Sequence, residues 1–186
     1  MNLLIVGAGG HGRCCLDIAR DMNIFENIAL LDDNHINEKI NDCDVIGSVD
    51  EMNSYYPEYT NIFIAIGNNK IRNKLMLQAQ EMGYSLPILK HSRSIISQYA
   101  LIGNGSVIFP NAVVEANAVI KGGCIIAANS VVNHDAYIDE CVLVNTSSVI
   151  RPNTVINKYV SIGSRCLITA NTTIDQDMIV KDGEVI

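Results

Sequence analysis

The sequence lacks several features that mark particular classes of protein. No apolar run is long enough to cross a bilayer, and no cluster of lysine and arginine occurs in a chain whose net charge is −7. The six cysteines have no metal-type spacing, and the chain begins with an apolar segment rather than a signal peptide. We therefore expect a cytoplasmic protein with reduced cysteines, no metal, no nucleic acid polymer as partner and no membrane insertion.

What the second half of the chain contains is a repeat of six residues, which runs from position 94 to 186. A pair whose second member is always Ile or Val recurs at this spacing, as in Leu101-Ile102 and Val107-Ile108, and a mostly small residue stands two positions before that member. Neither an α-helix nor simple strand alternation produces a period of six. A hexapeptide β-helix does, because each six forms one short strand and one corner, and three sixes form a coil. We predict that the second member of each pair points inward and stacks on its counterpart one coil later.

The first residues of the chain predict a strand, a glycine turn and a helix. Asn2–Val6 is a continuous apolar run of the kind found in buried parallel strands. Glycine-rich residues 7–12 follow, and residues 13–22 have the apolar spacing of a helix. In this context G-x-G-x-x-G indicates a turn whose backbone N–H groups can receive a phosphate at the start of the helix.

Three further strands and a helix complete the predicted first unit. Residues 28–31 read as a strand that ends in Asp32 and Asp33, where a carboxylate can accept hydrogen bonds from a ribose or a base. Residues 61–66 read as the next strand, 70–82 as a helix, and 86–89 as a last strand of a small parallel sheet. A unit that ends near residue 90 has half the length of a full dinucleotide fold, which favours one nucleotide or a nucleotide sugar over NAD. A tight turn that binds nothing remains the alternative.

The most reactive side chain expected in the repeat is His134. It stands two residues after the inward Val132, with Asn133 before it and Asp135 after it, so that its imidazole should project from a corner of the prism. An imidazole beside a carboxylate is a suitable general base near neutral pH. A solvated surface histidine is the alternative.

The combination of the glycine loop with the hexapeptide repeat resembles the bacterial sugar acetyltransferases, which include UDP-4-amino-sugar N-acetyltransferases and sialic acid O-acetyltransferases. The resemblance covers essentially the whole chain. It is carried by five stretches: residues 7–13, residues 31–34, residues 65–69 with Arg72, His91-Ser92, and residues 132–135.

The resemblance implies a left-handed β-helix, a homotrimer, and acetyl-CoA bound in the cleft between neighbouring prisms. His134 would be the general base and Asp135 its partner. The positions implied for the nucleotide sugar are Gly9, Gly10, His11, Gly12, Arg13, Asp32, Asp33, Gly67 and Asn68. The positions implied for acetyl-CoA are Asn133, Leu143 and Asn145. Several relatives have a second histidine where this chain has Leu143, which leaves open how the thioester carbonyl is polarised.

The sequence therefore predicts an α/β Rossmann-like half-domain at residues 1–90, which binds the nucleotide sugar, and a left-handed parallel β-helix with acetyltransferase activity at residues 91–186. The expected reaction is acetyl transfer from acetyl-CoA to the amine of a nucleotide-linked amino sugar, of the UDP-4-amino-4,6-dideoxy type, in surface glycan biosynthesis. O-acetylation of sialic acid or a related sugar is one alternative. A non-catalytic protein that binds a nucleotide sugar is another.

Overall fold

A computed structural model describes residues 1–186, which form two compact units, Met1–Leu89 and Lys90–Ile186. The first unit is an α/β structure. Its strands are β1 (Asn2–Val6), β2 (Asn27–Leu31), β3 (Lys39–Ile40), β4 (Cys43–Gly47) and β5 (Asn61–Ile64). Its helices are α1 (Gly10–Asp21), a 3-10 helix (Val49–Tyr55) and α2 (Asn69–Glu81).

The sheet of the first unit has the order β3-β4-β2-β1-β5. The strands β4, β2, β1 and β5 are parallel, and only β3 is antiparallel to its neighbour. The strand β1, which has a neighbour on each side, is buried because its residues 3–6 are apolar on both faces of the sheet. The carboxyl ends of β2, β1 and β5 therefore lie side by side, where ligands bind in open α/β sheets.

Several predicted boundaries differ from the observed ones. Helix α1 begins at Gly10 instead of residue 13, so that part of the glycine run lies inside the helix. The prediction of a strand at 86–89 in the first sheet is wrong, since Leu89–Lys90 forms a strand (β6) of the β-helix and only Ser85 bridges to Asn61. Pro87 lacks the N–H that a ladder requires.

The second unit consists of three parallel sheets built from two-residue strands. The first sheet contains β7 (Ile95–Ile96), β10 (Val113–Val114), β13 (Val131–Val132), β16 (Val149–Ile150) and β19 (Leu167–Ile168). The second contains β8 (Leu101–Ile102), β11 (Val119–Ile120), β14 (Tyr137–Ile138), β17 (Val155–Ile156) and β20 (Thr173–Ile174). The third contains β6, β9 (Val107–Ile108), β12 (Ile125–Ile126), β15 (Leu143–Val144), β18 (Ser161–Ile162) and β21 (Ile179–Val180).

The register of these sheets follows the hexads. Val113 pairs with Val131, and Val114 with Val132, which is a step of 18 residues. From Ile108 to Val180 the second member of each pair is buried in one core, together with small residues such as Ala112, and Ile96 and Ile102 pack against that core. The predicted fold class, an α/β half-domain followed by a left-handed parallel β-helix, is confirmed.

Corners of the β-helix contain residues in the left-handed backbone region. Asn117, Asn129 and Asn153 have φ angles of 59°, 60° and 57°, and Asp135 has a φ of 60°. Asn and Asp adopt this conformation more readily than other residues that carry a side chain. The chain thus turns many of its corners with asparagine or aspartate, which places a polar side chain at each of those corners.

Candidate active site

The end of β2 is tied to the glycine loop by Asp32. Its Oδ2 atom accepts a hydrogen bond of 2.8 Å from the N–H of Ala8, and its Oδ1 atom accepts one of 2.9 Å from the N–H of Asn34. The neighbouring Asp33 is exposed, and its Oδ1 atom accepts a hydrogen bond of 2.9 Å from the N–H of Val49. Both carboxylates predicted to face a nucleotide therefore also hold loops at the end of the sheet.

The glycine loop packs closely on itself. Gly7 has a φ of 104°, and a Cβ atom on Gly12 would collide with the carbonyl oxygen of Gly7. Gly9 and Gly10 are exposed and have open space where a side chain would be. The first N–H groups of α1 are thus accessible to a ligand, and Arg13, which is exposed, lies on the first turn with its Nε atom 3.4 Å from the carbonyl oxygen of Ala8.

His11 lies on the first turn of α1 and is half-buried. Its Nε2 atom is 3.6 Å from the Sγ atom of Cys15, one turn further along the helix. Burial, together with the positive charge of Arg72, lowers the pKa of His11 to about 4. The imidazole is therefore neutral near pH 7 and can offer one donor and one acceptor to a ligand.

The loop after β5 is held by Arg72 of α2, whose side chain is buried. Its Nη1 atom donates to the carbonyl oxygens of Ile66 and Gly67 at 2.8 and 3.0 Å, and its Nη2 atom donates to Oδ1 of Asn69 at 2.7 Å. A guanidinium suits this role because its fixed fork of donors can satisfy several acceptors at once.

Asn68 forms the N-cap of α2. Its Oδ1 atom accepts from the N–H groups of Lys70 and Ile71 at 3.1 and 3.0 Å. Gly67 and Asn68 are both exposed. The residues predicted for the nucleotide thus lie on the first turn of α1 and in the loops that follow the adjacent strands β1, β2 and β5.

The second group of predicted residues lies on a corner of the β-helix after β13. Nδ1 of His134 is 2.7 Å from Oδ2 of Asp135, and the two side chains are 53% and 45% exposed. Hydrogen bonds from His134, and then from Asn117, lower the pKa of Asp135. An ionised Asp135 accepts only, so that Nδ1 of His134 carries the hydrogen and Nε2 keeps a lone pair. The pair has the arrangement of a general base and the residue that orients it.

Two residues of the preceding coil also contact this corner, and the sequence reasoning did not include them. Oε2 of Glu115 accepts a hydrogen bond of 2.9 Å from the backbone N–H of His134. Nδ2 of Asn117 donates to Oδ1 of Asp135 at 3.3 Å. The sequence could have pointed to them through the 18-residue step between stacked strands. Residues about 18 positions before a predicted site lie next to it on the preceding coil.

A cavity of about 530 Å³ lies beside His134. Its lining includes Ile95 and Val113, whose side chains are apolar, together with Glu115 and His134. Most of the lining residues are apolar, and the polar ones are Ser97, Glu115 and His134. Such a cavity suits a ligand that presents a reacting atom to His134 and an apolar portion to the sheet.

The residues predicted for acetyl-CoA do not all lie together in the chain. Asn133 precedes His134 on the same corner, and its N–H donates to the carbonyl oxygen of Ile150 at 2.9 Å. Leu143 and Asn145 lie on and after β15, in another sheet of the prism, and neither lines the cavity beside His134.

Comparison with known proteins places the chain in a family. Residues 2–79 match the family described as the PglD N-terminal domain, and residues 99–134 match the bacterial transferase hexapeptide. The acetyltransferase domain of PglB from Neisseria gonorrhoeae, in complex with acetyl coenzyme A, is 31% identical, with a TM-score of 0.74 over 99% of this chain and 94% of that one.

Two further proteins are similar. The GDP-perosamine N-acetyltransferase of Escherichia coli is 28% identical over 149 residues, which are 76% of this chain and 66% of that protein. A perosamine N-acetyltransferase from Caulobacter crescentus, in complex with CoA and GDP-perosamine, has the same fold at 23% identity, with a TM-score of 0.76 over 100% of this chain and 88% of that one.

The chain therefore belongs to the bacterial sugar acetyltransferases with hexapeptide repeats. The family and the enzyme class expected from the sequence are confirmed. None of the helices in either unit is long and apolar enough to span a membrane.

Proposed function

We propose that this protein transfers the acetyl group of acetyl-CoA to the amine of a nucleotide-linked amino sugar. The observation that carries the proposal is the 2.7 Å contact between His134 and Asp135, on an exposed corner beside a largely apolar cavity. The choice of acetyl-CoA as the acetyl donor is supported by the structure of the relative from Neisseria gonorrhoeae in complex with acetyl coenzyme A. The amino-sugar acceptor is supported by the name of the relative from Escherichia coli.

In the proposed reaction, the amine nitrogen attacks the carbonyl carbon of the thioester. The nitrogen becomes more acidic as the C–N bond forms, and Nε2 of His134 accepts its proton. The C–S bond then breaks, and the CoA sulfur leaves as a thiolate that takes a proton to become the free thiol. Asp135 stabilises the imidazolium that exists between these two transfers.

The nucleotide half of the sugar would bind to the loops after β1, β2 and β5. The accessible N–H groups at the start of α1, next to Gly9 and Gly10, are suited to a phosphate. Arg13 would add a positive charge, and His11 would add a neutral hydrogen-bonding ring. Asp33 retains acceptor capacity beyond its bond to Val49.

We further propose that the protein is a cytoplasmic homotrimer, and that residues 1–90 and 91–186 bind the nucleotide and perform the transfer, respectively. Large apolar side chains exposed on the β-helix support an assembly, since Ile95, Leu101 and Ile179 are 65%, 66% and 75% exposed. Light scattering coupled to size-exclusion chromatography measures the assembly, and a monomeric mass would contradict it.

The reaction is tested by the release of free thiol from acetyl-CoA in the presence of UDP-, dTDP- and GDP-linked amino sugars and of sialic acids. We expect turnover with a nucleotide-linked amino sugar, and mass spectrometry should locate the acetyl group on nitrogen. Acetylation of a hydroxyl group would contradict the amine as acceptor. An unchanged rate of acetyl transfer in His134→Ala would contradict the role of His134 as the general base.

A further inference from the structure

We propose that Asn117 is a positioning residue that orients Asp135 and thereby decides which nitrogen of His134 acts as the base. The proposal rests on the proposed function and assigns a role to a residue one coil before the pair. Nδ2 of Asn117 is 3.3 Å from Oδ1 of Asp135, whereas Oδ2 of the same carboxylate is 2.7 Å from Nδ1 of His134.

The two oxygens of Asp135 therefore have different partners. A carboxylate can only accept hydrogen bonds, so the amide nitrogen of Asn117 must be the atom that faces it. This contact restrains rotation about the Cβ–Cγ bond of Asp135 and keeps Oδ2 directed at Nδ1. With the hydrogen held on Nδ1, the lone pair on Nε2 remains available for the proton of the acceptor.

A second contact from the same corner holds the backbone of the pair. Glu115, two residues before Asn117, accepts the N–H of His134 through Oε2 at 2.9 Å, and the carbonyl oxygen of Ala116 accepts the N–H of Asp135 at 3.2 Å. The corner of one coil thus contacts both the main chain and the carboxylate of the pair on the next coil. Asn117 is the member of this corner that acts on the orientation of a side chain.

The backbone conformation of Asn117 permits a substitution that removes the side chain without disturbing the corner. Asn117 has a φ of 59°, which glycine adopts without steric cost, so Asn117→Gly removes the amide and preserves the corner. Asn117→Asp preserves the shape of the side chain but replaces the donor with an acceptor that repels Asp135.

The chain offers a matched control at another corner. Asn111 also has a φ of 59°, and its Nδ2 atom donates to Oδ1 of Asn129, 18 residues later, at 3.2 Å. Neither Asn111 nor Asn129 lines the cavity beside His134. Asn111→Gly therefore removes the same kind of stacked contact without touching the pair.

The experiment compares the steady-state kinetics of Asn117→Gly, Asn117→Asp and Asn111→Gly with those of the unmodified protein. For Asn117→Gly we expect kcat to fall by about ten- to a hundredfold, with the KM of both substrates within about twofold, because misorientation of a catalytic group affects the chemical step. Asn117→Asp should lose at least as much. Asn111→Gly should keep its kcat, and the melting temperatures of the two glycine variants should agree.

A second readout does not depend on turnover. The 15N chemical shifts of the His134 ring distinguish the two neutral tautomers, and we expect one tautomer in the unmodified protein and in Asn111→Gly but a mixture in Asn117→Gly. Equal kcat in the two glycine variants, or an unchanged tautomer in Asn117→Gly, would overturn the positioning role. If the unmodified protein transferred no acetyl group, the proposed function would fail, and the ring shifts would still decide the role of Asn117.

Discussion

The carboxylate of Asp32 accepts the backbone N–H of Ala8 at 2.8 Å and so joins the end of β2 to the beginning of the glycine loop. Its other oxygen accepts the N–H of Asn34 at 2.9 Å. The sequence predicts this carboxylate as a direct partner of a ribose or a base. The structure gives it a further task, because the shape of the loop at the start of α1 depends on it.

Replacement of Asp32 by Ala should raise the KM for the nucleotide sugar by about tenfold or more, since hydrogen bonds to a charged group contribute roughly 1.5–3 kcal/mol each. The KM for acetyl-CoA should stay within about twofold, because weaker binding at the nucleotide-sugar site leaves the acetyl-CoA site unaffected. Steady-state kinetics with each substrate varied in turn measure both values. The matched control is Asp17→Ala, which removes an exposed carboxylate of α1. A larger increase in the KM for acetyl-CoA than in the KM for the nucleotide sugar would contradict the assignment of the nucleotide site to these loops.

His134→Ala should lower kcat by about a hundredfold or more, which corresponds to about 3 kcal/mol of activation free energy. The melting temperature should change little because the imidazole is 53% exposed and its ring packs in no core. Kinetics and a thermal melt on the same sample separate the two effects. A large fall in melting temperature would assign the loss of activity to unfolding.

Replacement of Arg72 by Met should lower the free energy of unfolding by about 3 kcal/mol. The three acceptors that the guanidinium satisfies at 2.7 to 3.0 Å would lose that donor in a buried environment. Arg72→Lys should recover only part of this loss, since one ammonium cannot reproduce the planar fork. Urea denaturation gives the free energies. Lys74→Met, which removes an exposed cation from the same helix, should be nearly neutral, and an equal loss there would contradict the role of the fork.

The stability of the protein should depend on the protonation of His11. Its pKa is lowered from 6.5 to about 4 in the folded chain, so between these values the unfolded chain binds a proton that the folded chain does not. The free energy of unfolding should therefore decrease as the pH falls from about 6.5 to about 4, by at most roughly 3 kcal/mol from this group, and this contribution should level off below.

The measurement is urea denaturation at several pH values for the unmodified protein and for His11→Gln. Glutamine does not titrate, so the variant should have a smaller dependence on pH within this window. The difference between the two curves isolates His11 from the carboxylates that also titrate there. Parallel curves would show that His11 has the same pKa in the folded and the unfolded chain, which would contradict the prediction.

The β-helix was predictable because one rule applies to every coil. Each inward position is apolar and the position two before it is mostly small, so that burial repeats with the sequence period, as Val114 and Val132 show. The antiparallel pair of Lys39 with Asp44 in β3 and β4 was not predicted. β3 has only two residues, which are mostly exposed, and it forms because β4, itself paired with β2, offers it a ladder. That information is not contained in a local pattern.

The candidate site was predictable where its residues are adjacent in sequence. His134 and Asp135 stand side by side, so their contact follows from the corner alone. The contacts of Glu115 and Asn117 cross from one coil to the next, and the roles of Arg72 and Asp32 depend on how the strand-end loops approach one another. Those approaches are set by tertiary packing and are visible only in the folded chain.

The 18-residue register of the β-helix restricts the ways in which the length of this chain can change. Removal of a complete coil would leave every remaining strand on its own face, so the stack would only become shorter. Removal of six residues would keep each inward side chain inward but move every later strand to the next face of the triangle. Removal of any other small number would turn core residues outward. Insertions and deletions in this region should therefore be tolerated in whole coils, or at the corners as loops that leave the count of stacked positions unchanged.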